Sequence, residues 1–97
     1  MKMKTESVVT KERLAKYFSY TERALKKAYA AIVKSKEKQA KEVLDMAQRY
    51  HDDAKHFESK GDFVTAFAAL NYAHGWLDAG ARLGLFDVHD SELFVVD

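Results

Sequence analysis

Apolar residues recur along this chain at intervals of three and four, the period of a helix that turns one face to a core. Leu14, Phe18, Thr21, Leu25, Ala28 and Ile32 form a first row, with Lys16, Arg23, Lys27 and Lys34 on the opposite side. Ala40, Val43, Leu44, Ala47, Tyr50, Ala54 and Phe57 form a second, with Lys41, Asp45, Asp52 and His56 facing away. A third row is Phe63, Ala66, Phe67, Leu70, Ala73, Leu77 and Ala81. The spacing predicts helices over about residues 11–34, 37–60 and 63–84.

Thr10 is a suitable N-cap for the first, because its hydroxyl can accept an otherwise unpaired amide. The boundary between the second and third is clear. Gly61 suits the left-handed residue after a helix end, and Asp62 suits the cap of the next helix. Lys60 sits in a last turn, where the helix dipole favours a cation. The first boundary is less marked. Residues 34–39 contain neither Gly nor Pro, so one continuous helix of about fifty residues is compatible with them. The apolar row lapses there and Ser35 offers a cap, which favours a turn. Three amphipathic helices on short connections pack as an up-and-down bundle at shallow crossing angles. The expected fold is all-α, a three-helix bundle in one domain over residues 1–97, with a short C-terminal extension ending in Leu93-Phe94-Val95-Val96.

Composition sharpens this picture. A chain of 97 residues without Pro or Cys favours helices and excludes a disulfide framework, a thiolate zinc site and a Cys nucleophile. No apolar run reaches the length of a membrane span, since Asp78 and Arg82 interrupt the best one. Met1-Lys2-Met3-Lys4 is followed by no apolar segment of the secretory kind. A cytoplasmic protein without a membrane partner is expected. The net charge of +1 conceals a division: residues 1–41 carry twelve Lys or Arg against four Glu, and residues 42–97 carry four against eleven acids. Packing oppositely charged segments together accounts for this, and nucleic-acid binding by the basic half is the alternative.

From Phe63 to Leu77, fifteen consecutive residues carry no Lys, Arg, Asp or Glu. Beyond its core row, this helix has a second apolar side formed by Ala68, Ala69, Tyr72, Trp76, Ala79 and Leu83. Tyr and Trp each bury about 150–250 Å² when enclosed, worth several kcal/mol together at about 25 cal/mol per Å². Either the tail, through Phe86, Leu93 and Phe94, folds over this side, or a partner covers it. The simplest partner is a second copy, making a homo-oligomer, and a different protein is the other.

The pattern Tyr50-x-x-Asp53-Ala54-x-x-Phe57-x-x-x-Gly61-Asp62-x-x-x-Ala66, followed by Asn71-Tyr72-Ala73-His74-Gly75-Trp76-Leu77-Asp78-Ala79, resembles an archaeal family, the domain of unknown function numbered 357. The likeness covers about residues 44–86, and the first helix agrees in length and pattern. It implies a three-helix bundle in an archaeal cytoplasm and no particular activity. Part of the same stretch is also similar to HEPN domains, which share the Gly-Asp turn between an aromatic-ending helix and an Ala-rich one.

Candidate chemistry is sparse. Asp52 with His56, and His74 with Asp78, each share a helix face at a spacing of four. Antiparallel helices rising about 1.5 Å per residue set His56 and His74 about 12 Å apart along the axis. Zinc ligands lie about 2 Å from the metal, so the pairs cannot share one ion, and no metal or cofactor is expected. His74 falls at the edge of the core row near Asn71 and Asp78, at the depth of His51. These four residues form a candidate polar pocket, or else a satisfied hydrogen-bond network. A HEPN-type ribonuclease needs an Arg and a His about six residues apart on one helix. Arg49 and His56 meet that spacing, but Tyr50 stands where a polar residue usually follows the Arg. The expectation is a non-enzymatic interaction module with Tyr72, Trp76 and Leu83 as its partner surface. The alternatives are nucleic-acid binding through Lys16, Arg23, Lys27 and Lys34, or a HEPN-like ribonuclease.

Overall fold

Thr10 opens the first helix as expected, its Oγ1 accepting the Arg13 amide at 3.1 Å. The computed structural model describes residues 9–94, so the start at residues 1–4 and the apolar end at residues 95–96 lie outside it. Three helices account for most of these residues: α1 (Lys11–Ala30), α2 (Glu37–Ser59) and α3 (Phe63–Arg82). All three pack against one another, most extensively α2 with α3.

The α2–α3 turn follows from two residues. Gly61 takes a φ of 77°, which lets its amide bond Glu58 O at 2.9 Å and the Asp62 amide bond Phe57 O at 3.0 Å. This paired closure satisfies carbonyls that a helix end leaves without partners. Asp62 then caps α3 directly, accepting the Thr65 amide at 3.2 Å. Gly84, at a φ of 73°, closes α3 in the same manner, with Leu85 N bonding Gly80 O at 2.9 Å.

The first helix ends at Ala30, four residues earlier than its apolar row predicts, and the cause lies in the tail. Residues 31–33 pair with residues 85–87: Val33 N donates to Leu85 O at 2.9 Å, and Asp87 N donates to Ala31 O at 2.8 Å. Ile32 and Phe86 face each other in an isolated antiparallel bridge. Backbone groups released from α1 are therefore re-paired across the molecule, as buried backbone polar groups require. A short 3₁₀ turn at Lys34–Lys36 leads into α2, so α1 and α2 are separate helices.

The core lies in two parts. Near the α2–α3 turn, Val9, Leu14, Phe18, Ala54, Ala66, Phe67, Ala69 and Leu70 pack together. Ala69, expected on the outer side of α3, belongs to this cluster. At the other end, Leu85, Phe86, Val88, Leu93 and Phe94 of the tail are buried against Ala24, Leu25, Ala28, Ala40, Leu44, Ala47 and Leu77. Among the described residues, the tail thus folds back into the bundle and not over Tyr72 and Trp76. Among its most buried side chains is Phe86, 2% exposed, whose ring lies where a Cβ on residue 80 would stand. Gly80 is what lets this ring reach α3.

Gly80→Ala forces the Phe86 ring to move, and overpacking of this kind costs about 1–3 kcal/mol, more than the helix-propensity gain of up to about 1 kcal/mol. Gly75→Ala meets nothing within 4 Å and keeps that gain. Urea unfolding is therefore expected to show Gly80→Ala less stable than the parent and Gly75→Ala more stable.

Candidate functional site

The helical period of α3 aims His74 at α1, and the tail closes over it. His74 Nε2 lies 2.6 Å from the Leu93 carbonyl, which can only accept, so this nitrogen carries a proton. Nδ1 lies 3.3 Å from Thr21 Oγ1 and accepts the hydroxyl proton in the neutral ring. The Tyr20 ring stands edge-on at 5.8 Å, and its hydroxyl donates to the Glu92 carbonyl. Asp78 Oδ1 is 3.9 Å from Nε2.

A cavity of about 500 Å³ opens beside this network, lined by Tyr17, Tyr20 and Thr21 of α1, by Asn71, His74 and Asp78 of α3, and by tail residues from Ser91 to Phe94. Three of the four expected pocket residues, Asn71, His74 and Asp78, thus meet here. His51 does not. It is buried on the α1–α2 seam, its Nε2 2.7 Å from Glu22 Oε2 and its ring edge-on to Phe18, because its place on α2 points it at α1 and away from α3. Tyr17, Tyr20 and the tail residues were missed as pocket walls. Thr21 was visible as the polar member of an apolar row.

Two salt bridges hold the tail to α1. Lys27 Nζ is 2.6 Å from Asp90 Oδ2, and Arg23 lies 3.7 Å from Glu92. Asp90 Oδ1 also accepts the Glu92 amide at 3.0 Å. The hydrogen bond from Lys27, reinforced by that amide, holds the Asp90 carboxyl below its ordinary range. Two cations of the candidate nucleic-acid stripe are therefore engaged by acids of the same chain, while Lys16 and Lys34 are exposed. Arg49 is exposed and pairs with Asp45 at 2.9 Å, and His56 is exposed beside Phe57. Neither lines the cavity. Among the described residues, no three His, Cys, Asp or Glu converge as a metal-ligand set, and no helix is long and apolar enough to cross a membrane.

The outer side of α3 presents a different kind of surface. Tyr72 is 64% exposed, Leu83 66%, Val64 61% and Trp76 37%. Tyr50 of α2 stacks on Tyr72 with ring centroids 5.3 Å apart. Between the aromatic rings lies a shallow depression of about 340 Å³ bounded by Asn71, Tyr72, Gly75, Trp76 and Ala79.

A three-helix bundle with its tail locked into one seam and an apolar face left outward is the class that this geometry defines. The chain belongs to the family of proteins of unknown function DUF357, whose model matches residues 16–86. The match reaches well into α1, further than the motif over residues 44–86, and ends at the Phe86 anchor. No curated protein and no solved structure matches the chain.

His74→Ala deletes two hydrogen bonds and leaves the Leu93 carbonyl short of a donor, a loss of about 1–2 kcal/mol that chemical denaturation would measure. Asp90 has a pH signature. Because its folded pKa is depressed, its contribution is present at neutral pH and is lost as pH falls through that lowered value. Asp90→Asn is expected to melt below the parent at pH 7. The gap should narrow on acidification below the ordinary carboxylate range, where the parent loses the same contact.

Proposed function

We propose that this protein is a non-enzymatic interaction module that presents the outer face of α3 to another macromolecule, self-associating through it, with Tyr72, Trp76 and Leu83 as the contact residues. One observation carries the proposal: the apolar tail residues that could have sheltered these side chains, Phe86, Leu93 and Phe94, are buried in the opposite seam, and Val64, Tyr72, Trp76 and Leu83 remain exposed. Contiguous apolar surface of this kind on a small domain marks an interaction site. Tyr72 is also held in place for contact by its stack on Tyr50, which lowers the ordering cost of binding.

The cavity beside His74 supports a structural role better than a catalytic one. Both ring nitrogens are engaged by Thr21 and Leu93, so the imidazole has partners that compete with any substrate proton. Nucleic-acid binding through α1 is weakened by the engagement of Arg23 and Lys27 with the tail acids.

Trp76→Asp places a charge on the surface without touching the core. The variant is expected to keep its helical circular dichroism and to lose, at least tenfold, the protein retained in affinity capture from a native lysate in high salt. Retention of nucleic acid that salt or nuclease strips away, unchanged by Trp76→Asp, would instead favour the basic stripe of α1.

A further inference from the structure

The exposed face of α3 is nearly symmetric about its middle. Along it stand Val64, Ala68, Tyr72, Trp76, Ala79 and Leu83, which read aliphatic, small, aromatic, aromatic, small, aliphatic in either direction. All six are exposed. If one copy of α3 is laid antiparallel on another, Val64 meets Leu83, Ala68 meets Ala79, and Tyr72 meets Trp76, each within one residue of perfect register. The depression over Gly75 and Ala79 lies on the same face as the two rings, and a Cβ on residue 75 would touch nothing. Each copy therefore offers both an aromatic ridge and a hollow to receive one, the self-complementarity that a two-fold interface requires.

Charge selects the same direction. The α2–α3 turn at the N-terminal end of α3 carries Glu58, Lys60 and Asp62, a net negative set. At the C-terminal end Arg82 stands in the last turn and Lys36 Nζ lies 3.3 Å from the Leu83 carbonyl, leaving a net positive set even with Asp87 counted. Antiparallel pairing lays unlike ends together and opposes the helix dipoles, whereas parallel pairing lays like ends together. The middle of the face has no charged residue between Phe63 and Leu77, so pairing there buries no charge. A face without charge gives an unrelated charged partner little to recognise.

We infer that the occupant of this face is a second copy of the same chain, docked as an antiparallel α3–α3 pair with Tyr72 of each copy against Trp76 of the other. This rests on α3 being the self-associating surface proposed above, and it adds the direction of pairing and the residues that meet.

The chain contains no cysteine, so introduced thiols report pairing without background. Val64→Cys and Leu83→Cys chains, both altered at exposed positions, are mixed in a glutathione redox buffer. The antiparallel pair is expected to give the mixed Val64→Cys/Leu83→Cys disulfide at least tenfold over either symmetric one. Sedimentation equilibrium of the unaltered chain is expected to show a concentration-dependent doubling of mass that Trp76→Asp abolishes. Dominance of the symmetric disulfides would overturn the direction. A monomer at every concentration would overturn the self-pairing. In that case self-association fails as a whole, and Trp76-dependent capture of other proteins would separate this failure from failure of the α3 face as an interaction surface.

Discussion

Everything distinctive about this bundle depends on one contact, the Phe86 ring seated on the bare backbone of Gly80. That seat fixes where the tail enters the core. From it the backbone of residues 85–87 reaches residues 31–33 and ends α1 by exchanging hydrogen bonds with it. Beyond it, Leu93 and Phe94 fill the lower core, and Asp90 and Glu92 meet the cations of α1. The tail can occupy only one side of α3. Because it takes the seam facing α1, the other side stays uncovered.

Local signals were legible where the determining residues are neighbours in sequence. The Thr10 cap, the Gly61 turn and the Asp62 cap each act within a few residues, and the structure places them as their chemistry dictates. The helical rows also hold, since Leu14, Phe18, Thr21, Leu25 and Ala28 are all buried. The end of α1 was not legible in the same way. No Gly or Pro marks it, and what stops the helix is a backbone segment some fifty residues later, whose pairing no local pattern reveals. The tail posed the same difficulty. Its apolar residues announced that it would be buried, but either side of α3 could have received it, and the missing side chain of Gly80 was the only cue to which.

The candidate site shows the limits of helical depth as a guide. His51 and His74 lie at similar heights on antiparallel helices, yet one turns to Glu22 and the other to Thr21 and Leu93. Height along an axis leaves rotation about it undetermined, and rotation decides which seam a side chain enters. Asn71, His74 and Asp78 fell together because all three stand on one helix within two turns. The charge division of the chain has a related outcome. Part of the basic excess of α1 is met by the acidic tail, so the long-range attraction that a bundle of unlike halves provides is spent inside the molecule.

Trp76 is the sole tryptophan, so its fluorescence reports on the outer face of α3 alone. Acrylamide quenching measured across a wide range of protein concentration is therefore the most direct test of a face left bare by its own tail and covered by a second copy. The indole is expected to be open to quencher in dilute solution and shielded, with a blue-shifted emission, as concentration rises. Equal shielding at every dilution would contradict this, because only the chain itself could then be the cover.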